Sequence, residues 1–314
     1  MSSPSRKSTL LVALGGNAMI KKGQAGTIDE QFENLRIPIR QIARLSQEYR
    51  IIITHGNGPQ VGNLLLQQEC CHAAPDLPLE ILVAQTQGQI GYMIESTLDS
   101  ELMEMGIEDK QLFVSLLSYV VVDPNDPAFS DPSKPVGPVF TEAESVGLSY
   151  PVRKTPRGFR RVVASPRPIT IVEKREIQKL IEMNFIVICC GGGGIPVVRE
   201  GRTFAGVDAV IDKDLASAKL AEEVGVDLFV IATDEAGAAV HYGTSEQRFL
   251  GKISVREAEQ FLSQGQFPAG SMGPKVEAAI RFVSAGGHRA VITAVDRIEA
   301  AVTGQAGTIL ETEM

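Results

Sequence analysis

Along the chain, short unbroken apolar runs alternate with stretches whose apolar residues recur every three or four positions. STLLVAL (8–14), RIIITH (50–55), LFVSLLSYVVV (112–122), FIVICC (185–190), DLFVIATD (227–234) and RAVITAV (289–295) are runs of the first kind. A continuous apolar run of this length fits a strand buried on both faces. Residues 29–48 are of the second kind, with Phe32, Leu35, Ile39, Ile42 and Leu45 at helical spacing. Residues 60–71, 80–105, 172–184, 208–225, 254–264 and 272–286 also read as helices. In 208–225 the buried side is marked by Ile211, Leu215, Ala218 and Leu220. IPVVREGRTFAG (195–206) predicts a hairpin, and a short helix and a strand, GTILE, end the pattern. Strands alternating with helices imply an α/β fold, a largely parallel sheet covered on both faces.

Residues 123–168 break the alternation, with nine prolines among short polar pieces. A structureless loop of that length is unusual inside a compact domain. The segment reads as a small hairpin-rich subdomain inserted into the main fold. Residues 1–8, polar and basic, read as a flexible tail, and residues 9–314 as one domain carrying the insertion.

Composition narrows the partners. The 314 residues are 44% hydrophobic and 22% charged, with a formal net charge of −8. An acidic chain of this kind is a poor match for a nucleic-acid backbone or an anionic membrane. No stretch approaches the roughly 20 apolar residues of a membrane span, and the N-terminus lacks the apolar run of a secretory signal. A cytoplasmic protein is expected. The four cysteines form two adjacent pairs, Cys70–Cys71 and Cys189–Cys190, without CxxC spacing. Cys70, Cys71 and His72 have the wrong spacing for zinc. Cys189 and Cys190 end an apolar run, where free cysteine acts as a small hydrophobe.

The chemistry is expected where strands meet glycines. LGGN (14–17), HGNG (55–58) and CGGGG (190–194) each follow an apolar run. In open α/β sheets ligands bind beyond the carboxyl ends of the strands, and glycine turns there present N–H groups to anions. One such turn is equally well a tight strand-to-helix connection; three point to a multiply charged anion. GxxxxGK[ST], GxGxxG, HRD and GxSxG are all absent, which counts against a P-loop protein, a dinucleotide dehydrogenase, a protein kinase and an α/β-hydrolase. Lys213 in VIDKDLA and Lys275 in GSMGPKVEAA stand near helix starts. A lysine there opposes the helix dipole, so a bound anion would compensate both. Phosphoryl transfer uses this equipment, positioned positive charge with little covalent work by the protein.

Taken in order, ALGGNA (13–18), THGNGPQVG (54–62), QGQIGYMI (87–94), DPAFSDPSKPVGP (126–138), RRVVASPRPITIVE (160–173), CGGGGIPVV (190–198), GVDAVIDKDLA (206–216) and GSMGPKVEAAIRF (270–282) resemble the carbamate kinases of the amino acid kinase family. The resemblance spans nearly the whole chain. It implies a three-layer α/β/α sandwich with a protruding subdomain, assembled as a homodimer. It implies reversible phosphoryl transfer between carbamoyl phosphate and ADP, giving ATP and carbamate, with Mg²⁺ arriving on the nucleotide. Arginine or agmatine breakdown and purine or allantoin breakdown are both possible sources of carbamoyl phosphate.

Carried over residue by residue, Lys213 and Lys275 resemble the lysines that neutralise the transferring group, and Asp214 the carboxylate that holds them. Lys134 matches the subdomain lysine that reaches over the substrate. Gly15, Gly16, Asn17, Gly56, Asn57 and Gly58 resemble the loops around carbamoyl phosphate. Gly192, Gly193, Asp212, Thr233, Asp234, Tyr242 and Met272, with Lys275, fall on the nucleotide side. TDEAGAA (233–239) departs from the commoner form near the adenine pocket, so it bears on nucleotide preference. Asp208, Asp212 and Asp214 offer a competing all-protein Mg²⁺ site. An acetylglutamate-type kinase and a nucleotide-binding regulator without turnover are the rival readings.

Overall fold

The computed structural model describes residues 7–70, 73–155, 158–268 and 270–312. In chain order, its first half forms β1 (Thr9–Leu14), α1 (Ile28–Leu45), β2 (Arg50–His55), α2 (Gly58–Cys70), α3 (Leu79–Met105), β3 (Phe113–Ser115) and β4 (Tyr119–Val122). Then come β5 (Lys134–Phe140), α4 (Glu142–Ser145), β6 (Val152–Thr155), β7 (Gly158–Val163), β8 (Pro168–Ile171), α5 (Lys174–Glu182) and β9 (Ile186–Ile188). The remainder is β10 (Ile195–Glu200), β11 (Thr203–Gly206), α6 (Lys213–Val224), β12 (Leu228–Thr233), β13 (Ala239–Val240), β14 (Arg248–Phe249), β15 (Lys252–Ser254), α7 (Val255–Ser263), α8 (Met272–Ser284), β16 (Arg289–Ala294), α9 (Ile298–Val302) and β17 (Thr308–Glu311).

The main sheet runs β15-β17-β16-β12-β1-β2-β9-β3. From β16 to β3 every pairing is parallel, and β17 joins antiparallel to β16. Alternation along β1 splits its side chains between two cores. Leu11 and Ala13 pack with residues of α5, α6 and α8 on one face, while Leu10, Val12 and Leu14 pack with α1, α3 and α9 on the other. Both faces are dry, which is why the strands read as unbroken apolar runs. The helix ends follow local chemistry. Thr27 and Glu30 form a capping box at the start of α1, and Gly106 ends α3 in the left-handed conformation.

Two expected elements differ from the structure, each for a visible reason. The run 112–122 forms two strands in different sheets, because Gln87 of α3 occupies the break. Its side chain accepts from Ser118 N–H at 2.9 Å and donates at 3.3 Å to the Ser118 carbonyl, which also accepts from Ile195 N–H at 2.8 Å as the second sheet begins. The chain then continues as β4 in a second sheet, β11-β10-β4-β8. The helix expected over 208–225 begins at Lys213. Residues before it are extended, with Ala209 bridged to Ala164 and Val210 N–H bonded to the Ala164 carbonyl. Ile211, Leu215, Ala218 and Leu220 are nevertheless all buried.

Between β4 and β8, which pair with each other, the chain leaves to build a three-stranded antiparallel sheet, β5-β7-β6. Val136 and Val163 of that sheet pack on Val61 and Leu65 of α2, and Tyr150 donates to Glu69 at 2.7 Å. Of the expected tail, residues 1–6 lie outside the described residues, whereas Lys7 bonds the Ser46 carbonyl and Ser8 accepts from Arg50 N–H. Cys71 and His72 also lie outside them, and Cys70 is an exposed free thiol. No helix among the described residues is long and apolar enough to cross a membrane.

Candidate active site

Four adjacent parallel strands, β12-β1-β2-β9, end at one edge of the main sheet. Gly15 and Gly16 follow β1, Gly56, Asn57 and Gly58 follow β2, and Asp234 follows β12 directly. The turn at 191–194 comes two residues beyond β9. Strand order reverses about β1, since β2 lies on one side and the later β12 on the other. This is the switch point at which α/β sheets open a crevice. A cavity of about 280 Å³ lies there. Its walls include Gly15, Gly16, Gly56, Asn57, Gly58, Gly192 and Thr233, and its charge comes from Lys134, Lys213, Lys275, Asp212, Asp214 and Asp234.

The charged group is built from two helix starts. Lys213 opens α6, and Lys275 sits in the first turn of α8. Asp214, almost fully buried, lies between them. Its Oδ1 accepts from Lys213 Nζ, and its Oδ2 accepts from Lys275 Nζ at 2.9 Å. Burial by itself would raise the Asp214 carboxyl. The two ammonium groups outweigh burial and hold it well below the usual carboxylate range. Burial depresses Lys213, and repulsion from Lys275 adds to this; the shared Asp214 only partly compensates. Burial also works against Lys275, but there the attraction of Asp214 prevails and the pKa rises. Lys213 and Lys275 thus share one buried carboxylate, with Asp212 attracting both and Asp234 attracting Lys275 from nearby.

Asp212 caps α6, its Oδ1 accepting from Asp214 N–H at 3.0 Å, while its Oδ2 accepts from Lys134 Nζ at 2.8 Å. Lys134 begins β5, so the small sheet brings a third cation across the mouth of the cleft. The stem of Lys213 lies over Gly56, where a Cβ would stand 3.3 Å from its Cδ. Thr233 Oγ1 donates to Asp234 at 3.0 Å.

The structure gathers most of the residues singled out from sequence. Gly193 turns away, its Cα facing the Ile211 carbonyl, and does not line the cavity. Met272 packs against the core below α8. Tyr242 is exposed outside the wall and donates to Glu235, next to Asp234. The side chain of Asn17 lies outside what the structure describes. Asp208 is turned outward toward Arg161, at 3.4 Å. With both oxygens of Asp214 engaged by lysines and Asp212 held by a helix cap and Lys134, the three aspartates do not converge. Among the described residues no group of three His, Cys, Asp or Glu is arranged to hold a metal ion.

Cys189 and Cys190 differ in detail from the expectation. The strand stops at Ile188, and Cys189 adds one further ladder bond, to the Ile53 carbonyl. Cys190 turns left-handed, with φ 49°, to enter the glycines. Both thiols are buried in the core. The contact with Cys190, and then burial, push the Cys189 thiol up, away from the reactive thiolate.

Sequence reasoning passed over His55, which ends β2. It is fully buried, and burial pushes its pKa down to about 4, so the ring is neutral; its Nδ1–H donates to the Gly56 carbonyl at 3.1 Å. Its place in THGNG was the available signal. Ser271 and Gly270, which line the cavity at the start of α8, stand in the GSMGPK segment beside Met272 and Lys275, the two residues singled out from it.

The model of the amino acid kinase family matches residues 8–294. The carbamate kinase of Thermococcus kodakarensis is 48% identical over 309 residues, covering 95% of this chain and 98% of that protein. The carbamate kinase of Pyrococcus furiosus is 46% identical over 308 residues, with the same shares. Among solved structures, the carbamate kinase of Giardia lamblia bound to AMP-PNP superposes with a TM-score of 0.90 at 40% identity, over 98% of this chain and 99% of that one. An N-acetylglutamate synthase from Neisseria gonorrhoeae shares only the fold, at 15% identity and a TM-score of 0.59. The chain belongs to the amino acid kinase family and, within it, to the carbamate kinases.

Proposed function

We propose that this protein transfers a phosphoryl group reversibly between carbamoyl phosphate and ADP, giving ATP and carbamate, which breaks down to ammonia and carbon dioxide. The observation that carries the reading is the buried Lys213–Asp214–Lys275 group at the carboxyl edge of the sheet, with Lys134 facing it from the small sheet. In the transition state charge spreads over the oxygens of the transferring group, and preorganised cations there lower the barrier without reorganising. Lys213 and Lys275 supply those charges, and Asp214 fixes their positions. Gly15, Gly16, Asn17, Gly56, Asn57 and Gly58 cradle carbamoyl phosphate. Gly192, Asp212, Thr233 and Asp234 serve the nucleotide side, with exposed Tyr242 at its rim and Lys275 reaching both.

Mg²⁺ enters on the nucleotide phosphates as part of the substrate, in keeping with its habit of retaining waters and binding phosphate oxygens. The segment 123–168 acts as a lid, and its closure delivers Lys134 and excludes water that would hydrolyse carbamoyl phosphate. A second copy of the chain completes a homodimer. The open edge of β3, flanked by exposed Leu112 and Leu117, supports that assembly. The enzyme works in the cytoplasm. Coupled measurement of ATP formed from ADP and carbamoyl phosphate tests the reading. Formation no faster than without protein would sink it, and would favour a nucleotide-binding regulator.

A further inference from the structure

Two polar residues are buried side by side in the middle of α3. Thr86 is fully buried and Gln87 is 4% exposed. Each reaches a different glycine turn of the cleft. Thr86 Oγ1 accepts from Asn57 Nδ2 at 2.8 Å and donates to the Val83 carbonyl at 2.8 Å, so the hydroxyl has its direction set at both ends. Gln87 Nε2 donates to the Gly191 carbonyl at 3.0 Å, while its Oε1 holds Ser118 N–H. Ser118 Oγ in turn accepts from Cys190 N–H at 3.1 Å, at the left-handed entry to the turn.

The two turns also interlock directly. A Cβ on Gly192, whose φ is +66°, would stand 2.2 Å from Asn57 Nδ2, and one on Gly191 would stand 2.4 Å from His55 Nε2. The Asn57 amide thus lies against Gly192 with no room between them. Gly56, Asn57, Gly58 and Gly192 all line the cleft.

We infer that Thr86 and Gln87 are positioning residues which, through Asn57 and Gly191, set the separation of the two phosphate-facing turns and hence the alignment of donor and acceptor. The inference rests on the reading of the cleft as the transfer site. Neither residue touches the reacting groups. Binding of each substrate depends on its own turn, whereas transfer depends on the distance between turns. Loosening the clamp should therefore act on kcat rather than on either KM. A misplacement of about 1 Å can cost about 10²-fold in rate.

The test uses the full-length Thr86→Val and Thr86→Ser enzymes, assayed with carbamoyl phosphate and ADP varied separately, alongside thermal unfolding. Valine keeps the shape of threonine and removes the oxygen that receives Asn57; serine restores it. Thr86→Val should lower kcat by about 10- to 100-fold with both KM values within about threefold of wild type, and Thr86→Ser should return kcat to within about threefold. A Thr86→Val enzyme with near wild-type kcat, an equal loss in Thr86→Ser, or a loss matched by the unfolded fraction would each overturn the inference. If Thr86→Val does not fold, Gln87→Glu takes its place, keeping the acceptor for Ser118 and removing the donor to Gly191. A wild-type kcat in that variant also overturns it. Absence of ATP formation by the wild type is a separate outcome, which refutes the underlying activity.

Discussion

Replacing Asp214 with asparagine isolates the charge that organises the site. The side chains are nearly isosteric, so packing is preserved. The carboxylate offers both oxygens to ammonium groups, Oδ1 to Lys213 and Oδ2 to Lys275. An amide offers one acceptor and turns an N–H₂ donor toward the other lysine. Both cations then lose their shared buried counter-charge, a change that costs about 3–5 kcal/mol of stability for a broken buried pair. Losing positioned charge at the transferring group lowers kcat by about 10²- to 10³-fold.

The pH dependence carries a sign. Lys213 is already depressed by burial, and without Asp214 it falls further. Turnover needs it charged, so the basic limb of the kcat profile moves toward neutral pH in Asp214→Asn. Asp214 itself is depressed in the folded state. Its stabilising contribution is therefore fully present above the unfolded carboxyl value of about 4 and is lost as pH falls through the lower folded value. Asp214→Asn should lose that part of the acid dependence. The assays are ATP formation from pH 6 to 10 and urea unfolding at neutral and acidic pH. An unmoved basic limb together with kcat within tenfold of wild type would show that Asp214 does not organise the lysines.

Lys213→Ala and Lys275→Ala should each lower kcat by about 10²-fold or more; steady-state turnover near wild type in a folded variant of either would remove that lysine from the mechanism. Lys134→Ala should slow turnover and leave ADP affinity by calorimetry nearly unchanged; equal effects on both would contradict a lid residue acting on the transferring group. Hydrogen exchange across 123–168 should slow when both substrates, or a stable mimic of them, are bound, and exchange indifferent to ligands would exclude closure. Cys189→Ala with Cys190→Ala should keep most activity and lose about 1–3 kcal/mol in denaturant unfolding, since each change removes only buried side-chain volume; an inactive, well-folded double variant would restore a chemical role to the thiols.

The chain's own pattern determined the sheet and the edge at which chemistry occurs. A strand buried on both faces must be apolar throughout, and a turn that presents N–H groups to an anion favours glycine; both requirements are local, so STLLVAL followed by GGN and RIIITH followed by GNG are legible without coordinates. Lysines near helix starts are legible for the same reason, because the dipole they oppose belongs to their own helix. What only the tertiary structure decided is which of these meet. Lys275 and Asp214 are 61 residues apart and Lys134 and Asp212 are 78 apart, and sequence spacing says nothing about such pairings. The apolar pattern places the start of α6 five residues early, because Ala164 draws Ala209 and Val210 into extended pairing and leaves Asp212 to cap the helix. The break in 112–122 is not legible in the run itself, because the side chain that meets it, Gln87, belongs to a different element. Thr86 and Gln87 themselves read as ordinary positions of a helix. Their significance depends on the surface packed against them, which the fold alone supplies.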